Sequence, residues 1–66
     1  MELMAAETTK SLYFSSPKDA SYLGKRFPAG TYVEVWETTR GIKAVVREGY
    51  NRYFRYITLE DVNPNI

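Results

Sequence analysis

The sequence predicts a single small all-β domain, a barrel of about five strands, and three observations predict it. Short runs dense in β-branched and aromatic residues recur along the chain, and such side chains suit a pleated, half-buried surface. Clusters of Gly, Pro and Asn separate these runs at regular intervals, which marks a sandwich or barrel. A chain of 66 residues has room for one domain only. Closing so small a sheet on itself is the economical way to remove exposed edges.

Taken in order, residues 1–10 mix Met, Ala and Glu with Thr8, Thr9 and Lys10 and are expected to form a loose N-terminal arm. The barrel is expected over residues 11–62. Leu12-Tyr13-Phe14 forms its first strand, closed by Ser15-Ser16-Pro17 because proline cannot donate to a ladder. Ser16 to Gly24 is turn-rich and without period, so it reads as one irregular loop. In Phe27-Pro28-Ala29-Gly30, Pro28 presets φ and Gly30 supplies a positive φ for a tight turn. Thr31–Thr38 alternates, with Val33 and Val35 on the core face and Tyr32, Glu34 and Trp36 opposite. Thr39-Arg40-Gly41 reverses the chain into Ile42–Arg47, where Ile42, Ala44 and Val46 share one face and Lys43, Val45 and Arg47 the other. Glu48-Gly49-Tyr50-Asn51 turns into a fourth strand, Arg52–Thr58. Leu59-Glu60-Asp61-Val62 predicts a short helical turn before a last strand, and residues 63–66 a frayed tail. The core is predicted from Val33, Val35, Ala44, Val46 and Ile57.

This order of elements resembles the Src homology 3 (SH3) fold and its bacterial relatives over residues 11–62. Ser11-Leu12-Tyr13 is similar to that family's Ala-Leu-Tyr opening strand, and Phe27–Val35 to its diverging turn and second strand. Gly41 stands where a glycine precedes the third strand. Tyr56-Ile57-Thr58-Leu59-Glu60-Asp61-Val62 is similar to the closing Tyr-Ile-Pro-Ser-Asn-Tyr-Val. The resemblance implies the fold. It does not carry the family's proline-rich ligand, because Ile42 replaces the groove tryptophan and Glu60-Asp61 the groove Asn-Tyr pair.

Composition narrows the chemistry. The chain has neither Cys nor His, so disulfides, thiolate metal sites and the commonest general base are excluded. It shows no phosphate loop, nucleophile motif or metal-ligand spacing, and the expectation is a binding module with no catalytic residue, metal or cofactor. Glu60-Asp61 reads as a solvated turn or a cap. No apolar run suits a membrane span, and the start lacks the pattern of a signal peptide, so the expected location is cytoplasmic.

Net charge is +1, but it is unevenly spread. Between Arg40 and Tyr56 stand Arg40, Lys43, Arg47, Arg52 and Arg55 against a single acid, Glu48. Interleaved with them is the run Tyr50-Asn51-Arg52-Tyr53-Phe54-Arg55-Tyr56. Rings that stack on bases and cations that meet phosphates are what single-stranded nucleic acid requires. The candidate nucleic-acid-binding residues are therefore Arg40, Lys43, Arg47, Arg52, Tyr53 and Arg55. The competing expectation is a protein interface through Tyr32 and Trp36, in a larger complex or by self-association into a homo-oligomer.

Overall fold

A computed structural model describes residues 1–64. It is all-β, with seven strands in two antiparallel sheets. In chain order these are β1 (Glu2–Thr8), β2 (Leu12–Phe14), β3 (Lys25–Phe27), β4 (Tyr32–Thr38), β5 (Gly41–Glu48), β6 (Asn51–Ile57) and β7 (Val62–Pro64), with a 3₁₀ turn at Leu59–Asp61. The larger sheet runs β6-β5-β4-β1-β7, and β2 and β3 form a separate hairpin. A bridge between Ser15 and Phe54, with both backbone bonds at 2.8 Å, joins that hairpin to β6. None of the described residues forms a helix long and apolar enough to cross a membrane.

The N-terminal segment corrects the expectation of a loose arm. β1 lies inside the sheet, paired with β4 on one side and β7 on the other. Met, Ala and Glu are poor strand formers on their own. Two long-range partners hold the strand, β4 along most of its length and β7 along Ala6–Thr8, and Ala6 and Thr8 are buried. Thr8 is fully bonded there: its hydroxyl donates to the Pro28 carbonyl and accepts from the Thr31 N–H, both at 3.2 Å. The Gly30 N–H donates to the Thr8 carbonyl at 2.8 Å, and Gly30 has φ of 85°, so the predicted turn is clamped onto β1. The frayed-tail expectation also changes, since Asn63 and Pro64 pair with Glu7 and Ala6; residues 65–66 lie outside the described residues.

The five predicted core residues are all buried, together with Leu12, Phe14, Phe27, Tyr53 and Val62. Phe14 meets Phe27 edge-on with centroids 5.5 Å apart, and Phe27 meets Tyr53 at 5.1 Å. A chain with few large aliphatics fills its core with rings, each of which buries a large area. β3 escapes sequence reading because two of its three residues, Lys25 and Arg26, are charged and only Phe27 turns inward.

The loop between β2 and β3 is folded back on β6. The Tyr22 hydroxyl accepts from the Arg52 N–H at 2.8 Å and donates to the Arg52 carbonyl at 2.9 Å, in place of a neighbouring strand. Gly24 permits this close approach. A Cβ there would stand 2.5 Å from the Phe14 carbonyl oxygen and 2.6 Å from the Tyr13 hydroxyl. Because the first of these is backbone, Gly24→Ala is expected to displace the loop and cost about 1–3 kcal/mol, as overpacked sites do. Urea melts of the two proteins measure the difference, and equal midpoints would show that the loop is not held where it lies.

Candidate functional site

Strand alternation divides the basic aromatic run between the two sides of the sheet. Arg52, Phe54 and Tyr56 face outward, whereas Tyr53, Arg55 and Ile57 face the core side. Tyr50, in the hairpin turn, stands wholly in solvent.

Tyr53 is therefore not available to a ligand. It is 3% exposed, opposite Val46, and packed on Phe27 and Tyr22. Arg55 is half-buried and donates from Nη1 to the Tyr13 carbonyl at 3.0 Å, while its Nε is buried without a partner. It braces the β2 hairpin from the side of the sheet opposite Lys43 and Arg47. Arg40 is exposed in the β4–β5 turn, where its N–H donates to the Thr38 hydroxyl.

The remaining candidates come together on the outer face of β4, β5 and β6. Cross-strand pairing sets Trp36, Lys43 and Tyr56 in one row and Glu34, Val45 and Phe54 in the next. A third row places Arg47 directly opposite Arg52. Between Trp36 and Phe54 runs a groove of about 330 Å³. Val45 is its floor, 6% exposed although it lies on the outer face. Lys43, Arg47 and Arg52 line it, and Met1, Glu37 and Thr38 close the end towards β4. Lys43 Nζ sits over the Phe54 ring, 5.1 Å from its centroid, an attraction to the ring's negative face.

Glu34 organises one wall. Its carboxylate accepts from Arg47 Nε at 3.0 Å and Nη2 at 3.4 Å, and from the Trp36 indole N–H at 3.3 Å. The Arg47 hydrogen bond first, with the indole adding to it, holds the Glu34 carboxyl below its ordinary pKa against the opposing effect of partial burial. The acid thus stays ionised, bonds the indole and pairs with Arg47. Across the face the charges separate. β1 brings Glu2 opposite Trp36 and Glu7 opposite Tyr32, whereas the cations stand on β5 and β6.

Tyr32 and Trp36 share the outer face, as alternation predicts, but differ in setting. Tyr32 is exposed beside Glu7, and Trp36 is half-buried in the wall of the groove. Two candidate groups that the sequence kept apart, Trp36 and the basic hairpin, thus belong to one surface. Phe54, Val45 and Glu34 complete it and were not among the candidates; the signal for them lay in the alternation of three strands combined across their turns. Of the adjacent acids, Asp61 takes the capping role and Glu60 stands exposed in the turn. The Thr58 N–H donates to Asp61 Oδ2 at 3.2 Å and, with Lys10, lowers the carboxyl's pKa against partial burial. No protein-family model, curated protein or solved structure matches the chain.

Proposed function

We propose that the chain is an SH3-like small barrel without catalytic function that binds nucleic acid through the outer face of β4, β5 and β6. The barrel part of this reading is supported by the short 3₁₀ turn before the last strand, where the resemblance puts the family's closing motif, and by the Ser15–Phe54 bridge that curls one sheet towards the other. The binding part rests on one observation. Two ring-bearing walls, Trp36 and Phe54, flank a groove lined by Lys43, Arg47 and Arg52.

Each component answers one feature of the ligand. A base presents a π-face that stacks on either ring, whatever its identity. The cations meet phosphates and release condensed counterions, which supplies most of the affinity. A cationic ligand is disfavoured by three positive side chains against two carboxylates, Glu34 bonded to Arg47 and Glu37 at the end of the groove. A purely apolar ligand would leave those charges desolvated and unpaired.

Titration with labelled oligonucleotides tests the reading, because Trp36 is the only tryptophan and its fluorescence reports contact directly. Single strands are expected to quench it. With three groove cations engaged, the salt slope in log–log form should be about −2, taking about −0.7 per neutralised phosphate. A second reading is favoured by the separation of acids and bases about the outward aromatics Tyr32, Trp36 and Tyr56, which suits self-association or a protein partner. Absence of oligonucleotide binding at micromolar concentration and low salt, with a dimer in sedimentation, would replace the first reading by the second.

A further inference from the structure

We propose that Arg47 and Arg52 form a clamp for a single phosphate group at the rim of the groove; on the nucleic-acid reading, which this deepens, that group belongs to the strand backbone. Arg47 and Arg52 are held in an arrangement that costs stability. Arg52 turns its N–H and carbonyl away from β5 towards the Tyr22 hydroxyl, so it forms a non-hydrogen-bonded pair with Arg47. In such pairs the side chains are closest, with Cα atoms about 4.5 Å apart rather than about 5.5 Å. Like charges directly opposite one another are destabilising.

Nearby acids neutralise the pair only in part, through the Glu34 carboxylate on Arg47. Glu48, one residue from Arg47, is engaged with Lys25 at 2.6 Å. Glu34 occupies the Nε edge of Arg47 and one Nη2 hydrogen, and Nη1 has no hydrogen-bond partner among the described residues. The Arg52 guanidinium has no hydrogen-bonded or ionic partner among the described residues.

A phosphodiester suits two opposed guanidinium groups better than a carboxylate does. The fork of one arginine occupies both oxygens of a carboxylate. A tetrahedral phosphate directs its two non-bridging oxygens apart, one to each guanidinium. Phe54 stands two residues from Arg52 on the same face of β6, about 7 Å along the strand. That is within reach of a base whose own phosphate lies between the arginines.

Function and stability then oppose each other at this position, and two variants separate the possibilities. Arg52→Gln removes the repulsion and one half of the clamp. Arg26→Gln makes the same change in net charge on β3, where the Arg26 side chain hydrogen-bonds only Ser11 among the described residues. Arg52→Gln is expected to raise the melting temperature by roughly 2–8 °C and to weaken single-stranded oligonucleotide binding about ten- to hundredfold. Arg26→Gln is expected to weaken it by less than about threefold, as for a distant, screened charge. Equal losses from both variants would overturn the clamp while leaving nucleic-acid binding intact. If the unaltered protein binds no oligonucleotide, the underlying reading fails, and inorganic phosphate decides the clamp by itself. A phosphate-induced rise in melting temperature that Arg52→Gln removes and Arg26→Gln retains supports a site for small phosphates. No such rise overturns it.

Discussion

Phe14→Ala is expected to leave the domain largely unfolded or close to it at 25 °C. Phe14 is the largest of the fully buried side chains and stands edge-on to Phe27. Truncating a buried phenylalanine costs about 3–5 kcal/mol, through lost transfer energy and the cavity left behind. At 66 residues the whole stability is only about 3–10 kcal/mol. The loss has a second consequence, because β2 is a short strand whose inward residues are Leu12 and Phe14. Without the ring, the hairpin keeps little apolar contact with the main sheet, and the Ser15–Phe54 bridge that follows it loses its anchor. Urea denaturation followed by circular dichroism measures the effect. A variant that melts at the same urea concentration as the unaltered protein would show that the hairpin is not part of the core.

The sequence made the larger sheet legible where local signals and tertiary contacts agree. Val33, Val35, Ala44 and Val46 lie in strands whose alternation is strong, and their burial follows from it. β1 was hidden because its reason for being a strand is not local. Its backbone bonds go to β4 and to β7, and β7 lies more than fifty residues further along the chain. β3 was hidden by Lys25 and Arg26, whose charges mask the one inward ring.

The site was half legible for a different reason. The composition of the basic aromatic run is evident, but its function depends on which alternate residues face out, and a one-residue change of register exchanges the sets. The positions of the turns resolve it. A reversal at Gly49-Tyr50 places Arg47 opposite Arg52, and so sets Val45 opposite Phe54 and Lys43 opposite Tyr56. Tyr53 then falls opposite Val46, on the buried side, and joins the core that a chain poor in large aliphatics has to build from rings.

That exchange of Tyr53 for Phe54 leads to the second large effect, on binding. Phe54→Ala and Trp36→Ala are each expected to cost about 1–3 kcal/mol for a single-stranded oligonucleotide, the range for loss of one base–aromatic stack. Tyr53→Phe, by contrast, keeps the core ring and loses only a contact with Asn51 Nδ2 at 3.4 Å, so binding should be unchanged. The salt slope distinguishes stacking from charge. Both alanine variants retain Arg47, Arg52 and Lys43, and should show weaker binding at every salt concentration with nearly the same slope. A small change in slope is expected only for Phe54→Ala, which releases Lys43 from its place over the ring. Trp36→Phe keeps a stacking surface but gives up the indole bond to Glu34, and an intermediate loss is expected. Fluorescence anisotropy at several salt concentrations gives all four values, with circular dichroism confirming that each variant is folded. If Phe54→Ala and Trp36→Ala bind as the unaltered protein does, the groove is not where bases stack. Affinity would then come from charge alone.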